Sequence, residues 1–242
     1  MTTKIELTAL NEQFINKKPQ AVIAYILEHF KGNIVFSTSL QAEDQVVTDM
    51  ICREDKNAVT FVTLDTGRMF EETYDILHRT NQRYGINIKA MFPDREKVEQ
   101  MTSKKGINLF YESVENRKLC CHIRKTIPLI RALEGHSVWI TGLRKSQSVT
   151  RHDVPMLEWD EAHQLVKVNP LINWDFDDVW NYIREQNVPY HKLHDKGYPS
   201  IGCEPCTRAV SEGEDIRAGR WWWEAPENKE CGLHVDKKES KG

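Results

Sequence analysis

Asn33-Ile34-Val35-Phe36-Ser37-Thr38-Ser39 followed by Leu40-Gln41-Ala42-Glu43-Asp44 decides how the chain is read. An unbroken apolar run with β-branched residues, closed by hydroxyls and passing into a helical stripe, is a buried parallel strand followed by its crossover helix. The strand is expected over Asn33–Ser39 and the helix over Glu43–Glu54, where Val46, Val47, Met50 and Ile51 recur on one side. The same alternation continues outward. A strand over Ala58–Leu64 ends in Asp65-Thr66-Gly67, a helix runs from Phe70 to Tyr84, a strand from Ile86 to Phe92, and a helix from Arg95 to Lys105. Ile123–Leu133 then reads as a helix distorted by Pro128, Ser137–Thr141 and Val166–Leu171 as strands, and Asp175–Gln186 as a helix. The expected fold class is α/β, a Rossmann-like, mainly parallel sheet covered by helices. From Pro189 the pattern thins toward Trp221-Trp222-Trp223 and a charged end, an extended C-terminal arm. The expected organisation is a nucleotide-binding α/β domain over residues 1–200, with N-terminal helices between about 5 and 30, and the arm over 201–242 as part of the same domain.

Of the 242 residues, 40% are hydrophobic and 29% charged, which excludes disordered and collagen-like classes. No apolar run approaches the roughly 20 residues of a membrane span, and the N-terminus lacks the apolar stretch of a signal peptide, so a cytoplasmic protein without a membrane partner is expected. The 33 basic residues against 36 acidic ones do not favour wholesale nucleic-acid binding. Locally the balance differs. From Arg117 to Arg151 eight cations are opposed only by Glu134, an excess of seven.

In open parallel sheets ligands bind beyond the carboxyl ends of strands. Ser37 to Asp44 and Leu64 to Gly67 are such ends, and each offers hydroxyls and free N–H groups at a helix start, where anions are stabilised and where plain capping residues also occur.

Six cysteines are the chemical lead. Cys120-Cys121 with Cys203-Glu204-Pro205-Cys206 supplies four thiolates, suited to an iron–sulfur cluster, to zinc, or to redox chemistry; the vicinal pair favours the cluster. Cys52 fits packing within a helix. Cys231, in Glu230-Cys231-Gly232-Leu233-His234, stands outside any apolar stripe and reads as a nucleophile.

Together STSLQAED, LDTG, CCHIRK, TGLRKSQSVTR, GYPSIGCEPCTRAV, GRWWWE and ECGLH resemble the assimilatory sulfonucleotide reductases, specifically the iron–sulfur adenylyl-sulfate (APS) reductases that use thioredoxin. The resemblance runs in one order from about residue 30 to residue 234. It implies the adenine nucleotide alpha hydrolase, or ATP pyrophosphatase, type of sheet. It also implies that Cys120, Cys121, Cys203 and Cys206 bind a 4Fe-4S cluster that does not shuttle electrons. Cys231 is then the residue that attacks the sulfur of APS, leaving AMP and an S-sulfocysteine from which thioredoxin, or a glutaredoxin-like carrier, releases sulfite for cysteine biosynthesis. The positions matching the family's phosphosulfate contacts are Lys125, Arg151, Arg217 and Arg220, with Arg144 and Gln147 in second rank. Nucleotide contacts are expected at Ser37, Ser39, the backbone of Leu64, and Gly142, with His234 contacting substrate or tuning the thiol. The Gly-rich SGGxDS loop of the ATP pyrophosphatases is replaced here by Ser39-Leu40-Gln41-Ala42-Glu43-Asp44, which argues against ATP cleavage. Alternatives are a reductase for 3′-phosphoadenylyl sulfate (PAPS) or for both nucleotides, an ATP pyrophosphatase-type ligase, and a zinc-stabilised nucleic-acid module. A homo-oligomer is compatible with all of them.

Overall fold

A computed structural model describes residues 4–30, 32–147 and 154–225. Its elements are α1 (Lys4–Phe14), α2 (Pro19–His29), β1 (Ile34–Ser37), α3 (Ala42–Asp55), β2 (Val59–Leu64), α4 (Glu71–Tyr84), β3 (Lys89–Met91), α5 (Arg95–Lys105), α6 (Val114–Cys121), α7 (Ile127–Leu133), β4 (Val138–Ile140), β5 (Leu157–Asp160), β6 (Leu165–Val168) and α8 (Phe176–Gln186). They form a six-stranded sheet in the order β3-β2-β1-β4-β6-β5. Strand β1 pairs in parallel with β2 and β4, β4 in parallel with β6, and β5 runs antiparallel against β6. The expected α/β class is therefore the observed one. Differences are local: the first strand is trimmed to four residues and the third to three, while β5 is an edge strand that the apolar pattern did not announce. Its sequence, Leu-Glu-Trp-Asp, alternates apolar and polar residues, but over only four positions, the shortest run in which such a pattern can be read.

Two compact units divide the chain. The first takes the described residues within Met1–Thr63, Asp75–Lys89 and Leu133–His191. Its core joins Ile34 and Phe36 of β1, Val138 and Ile140 of β4, and Val166 and Val168 of β6 to Val46, Val47, Met50 and Ile51 of α3 and to Val179 and Ile183 of α8. Strand β1 is buried throughout Ile34–Phe36, as a central parallel strand covered on both faces must be. Helix α8 begins with a capping box in which Asp175 accepts from the Asp178 N–H at 2.8 Å while the Asp178 carboxylate accepts from the Asp175 N–H at 3.0 Å. It ends at Asn187 in the left-handed region, φ 52°.

The second unit takes the described residues within Leu64–Tyr74, Ala90–Ala132 and Lys192–Gly242. Met101, Leu109, Phe110, Cys203, Cys206 and Trp221 form one buried cluster in it, and Phe70, Leu193 and Ile201 a smaller one. Between α6 and α7 the helix widens to a π turn over His122–Thr126. The distortion expected around Pro128 thus falls just upstream, where a wider turn relieves the clash between the proline ring and the carbonyl of the preceding turn.

Candidate active site

In the first unit the strand-end loop of β1 is held by its own carboxylate. Leu40 takes a left-handed backbone, φ 63°, and its N–H donates to the Thr38 hydroxyl at 3.0 Å. That turn aims the Ser39 N–H and hydroxyl at Asp44, both at 2.5 Å. The N–H of Gly142, at the end of β4, also hydrogen-bonds Asp44, and a Cβ at position 142 would overlap the Asp44 carboxylate. Burial lifts the Asp44 carboxyl to about 6, with Glu43 adding to the rise and the Ser39 and Gly142 bonds opposing it. Ser37 accepts from the Trp139 indole N–H at 2.7 Å. Arg144 is 2% exposed and turned inward: its Nε and Nη2 donate to Glu43 at 3.0 and 2.7 Å, and its Nη1 donates to Ser146 at 2.6 Å. Gln147 accepts from the Arg144 N–H at 3.2 Å. Ser39, Gly142, Arg144 and Gln147 are therefore knitted together through Asp44 and Glu43, two acids that belong to the quoted motif but were not singled out.

In the second unit Cys120, Cys121, Cys203 and Cys206 line one small cavity with Lys125, Arg124, Arg117, Arg68, Phe110, Pro205 and Trp221. Cys120 and Cys121 end α6. Cys203 and Cys206 flank a tight turn closed by the Cys206 N–H on the Cys203 carbonyl at 2.9 Å. The Leu64-to-Arg68 loop supports that turn: the Arg68 carbonyl accepts from the Glu204 N–H at 2.8 Å, and the Thr66 hydroxyl lies 3.2 Å from the Cys203 sulfur. Arg124 donates to the Thr66 carbonyl at 2.6 Å and hydrogen-bonds Cys120. Lys125 hydrogen-bonds Cys203.

These surroundings separate the thiols. Burial would raise Cys203, but Lys125, the Thr66 hydroxyl and Arg220 outweigh it and hold the thiol below its ordinary range. Burial pushes Cys206 up to about 12, with the neighbouring Cys203 and Cys121 adding to it. Cys120 is also raised, by burial against the pull of Arg124 and Lys125. Four thiols beneath cations suit a group that takes them all as thiolates. Among the described residues no three His, Cys, Asp or Glu side chains are placed to hold a single metal ion.

Arg220 is buried at 7% exposure, donates to the Ile201 carbonyl at 3.4 Å, and fills the space a side chain at Gly202 would need. Arg217 is half-buried, and its N–H donates to Asp215 at 2.8 Å. Arg151, Cys231 and His234 lie outside the described residues. Thr66, Arg117 and Arg124 carry contacts that the sequence reading passed over; Arg117 could have been found by its place one helical turn before Cys120.

The profile of the phosphoadenosine phosphosulfate reductase domain matches residues 33–209. The chain belongs to the phosphoadenosine phosphosulfate reductase domain family. Within that family it is 51% identical over 204 residues to an adenosine 5′-phosphosulfate reductase of Agrobacterium fabrum, covering 84% of this chain and 78% of that one. The crystal structure of phosphoadenylyl-sulfate (PAPS) reductase from Candida auris in a phosphate complex superposes with a TM-score of 0.74 at 30% identity, over 87% of this chain and 98% of that one. The fold alone is shared with an FMN adenylyltransferase of Candida glabrata, TM-score 0.55 at 15% identity, over 89% of this chain and 73% of that one. No helix among the described residues is long and apolar enough to cross a membrane.

Proposed function

We propose that this chain is an assimilatory APS reductase: it converts adenylyl sulfate to sulfite and AMP through Cys231, with thioredoxin or a similar dithiol carrier as reductant. The observation that carries this reading is the gathering of Cys120, Cys121, Cys203 and Cys206 around one cavity under Lys125 and Arg124, in a chain half-identical to a named APS reductase.

The chemistry balances with these parts. The Cys231 thiolate attacks the sulfate sulfur, forming an S–S bond while the sulfur–oxygen bond to the phosphate breaks and AMP leaves with the electron pair. One carrier thiolate then attacks the Cys231 sulfur, expelling sulfite; the second closes the carrier disulfide and frees the Cys231 thiol. Two electrons pass from the carrier to sulfur. The protein must bind two adjacent anionic groups, and forked guanidinium donors at Arg151, Arg217 and Arg220 with the compact charge of Lys125 suit that task. Ser37, Ser39, the Leu64 backbone, Gly142 and Arg144 are proposed to serve the nucleotide, and His234 the substrate or the thiol. With the Arg144 guanidinium engaged by Glu43 and Ser146, its role is to hold the loop that presents Gly142.

Cys120, Cys121, Cys203 and Cys206 are the residues that would hold a 4Fe-4S cluster, and the cations beside them suit its negative charge. When bound, such a group supplies electrostatic and positional support and no electrons. The vicinal Cys120-Cys121 pair and the Cys203–Cys206 turn line one cavity, an arrangement that suits a cluster with one iron per thiolate.

Anaerobically purified protein with reduced thioredoxin is expected to release sulfite from APS in strong preference to PAPS, and Cys231→Ser to release none. Equal rates would make the enzyme a dual reductase, the second reading favoured by the likeness to the Candida auris PAPS reductase. No sulfite from either nucleotide would overturn the assignment.

A further inference from the structure

Arg117 lies on α6 three residues before Cys120 and four before Cys121, on the helical stripe that leads to those thiols. Its guanidinium grips Glu224 as a fork, Nε to one carboxylate oxygen at 3.0 Å and Nη2 to the other at 2.8 Å. Both side chains are removed from solvent, at 1% and 4% exposure. The guanidinium also stacks on Trp221 at 4.6 Å, and Arg220 lies on the same indole at 4.7 Å. Trp221 holds a left-handed backbone, φ 42°, unusual for a bulky residue, and its carbonyl accepts from the Glu224 N–H at 2.8 Å. A tight, strained turn thus delivers one carboxylate to one buried arginine.

Burying two charges costs desolvation that their attraction barely returns, so an apolar pair of similar volume would stabilise the fold about as well. A bidentate fork supplies direction instead, by fixing where Glu224 stands and how it is oriented. We propose that the Arg117–Glu224 pair is a positioning device for the nucleophile, pinning the departure point of the C-terminal segment to the helix that carries Cys120 and Cys121. The inference rests on the assignment of Cys231 made above. Cys231 follows Glu224 by seven residues, so the length of the chain alone keeps it within about 25 Å of that anchor.

The test is a single turnover of cluster-loaded protein with APS and no carrier, reading addition of one SO3 to Cys231 by mass spectrometry. Glu224→Gln and the double variant Arg117→Met/Glu224→Leu are expected to keep wild-type iron content and AMP affinity while sulfonation slows about 10-fold or more. Arg117→Lys, which keeps the charge and loses the fork, is expected to fall between. Wild-type sulfonation in either of the first two variants with iron and AMP binding intact overturns the proposal. Loss of iron from both also overturns it, because the pair would then serve the metal site alone. Wild-type protein that gains no SO3 from APS overturns the function itself, and the positioning role with it.

Discussion

At the scale of single residues, Asp44 shows how one carboxylate organises two loops. It takes the Ser39 N–H and hydroxyl and the Gly142 N–H, and so fixes the two strand-end loops proposed to meet the nucleotide. Its carboxyl is raised by burial from 3.8 to about 6, so between those values the folded chain holds a proton that the unfolded chain has lost. Asp44 therefore makes the folded state less stable as pH rises from about 4 to 6, and its full cost is present above that window. Asp44→Asn is expected to flatten this slope in denaturant midpoints measured between pH 4 and 7; an unchanged slope would mean that another group titrates. Gly142→Ala places a methyl group where the Asp44 carboxylate stands and is expected to weaken AMP binding about 10-fold, read by calorimetry.

At the scale of elements, Asp49 ties three helices. Buried on α3 at 1% side-chain exposure, it accepts from Tyr84 of α4 at 2.9 Å, from Tyr182 of α8 at 2.8 Å and from Arg53 at 2.6 Å. Asp49→Ala leaves two partly buried hydroxyls without their acceptor and is expected to cost about 2–4 kcal/mol of unfolding free energy by urea titration. Asp175→Ala removes the α8 cap and is expected to cost about 1 kcal/mol. The contrast follows from exposure, since water replaces a lost partner at the Asp175 helix end and cannot do so as well around Asp49. Helix and strand order could be read from periodicity, because each repeat of apolar run and stripe lies within a dozen or so neighbouring residues. Strand β5 could not, because its four alternating residues are too short a run to stand out without the pairing with β6. The sequence marks the π turn after Cys121 only as a distortion tied to Pro128, since an ordinary kink would relieve the proline clash as well.

At the scale of the whole molecule, the described residues build a core on the sheet and helices α3 and α8, a second around Cys203, Cys206 and Trp221, and a small third cluster of Phe70, Leu193 and Ile201. From protein loaded with iron at the proposed cysteine site, removal of that iron with a chelator under oxidising conditions is expected to speed amide exchange in the second core while α3 and β1 keep their protection, read by hydrogen–deuterium exchange. Uniform loosening would show that the two cores unfold as one.

Residue order alone established the α/β class and the alternation of its elements, since local periodicity reports which face of each element is buried. It also singled out the cysteine quartet, a vicinal pair and a Cys-x2-Cys pair that together offer enough thiols for one shared group. Tertiary structure decided what surrounds them. Thr66 beside Cys203, Arg124 on the Thr66 carbonyl, Glu224 on Arg117 and Glu43 on Arg144 join residues from 58 to 137 positions apart. Each partner looks like an ordinary polar residue until the fold removes water from around it. Burial then makes a single hydrogen bond or ion pair consequential.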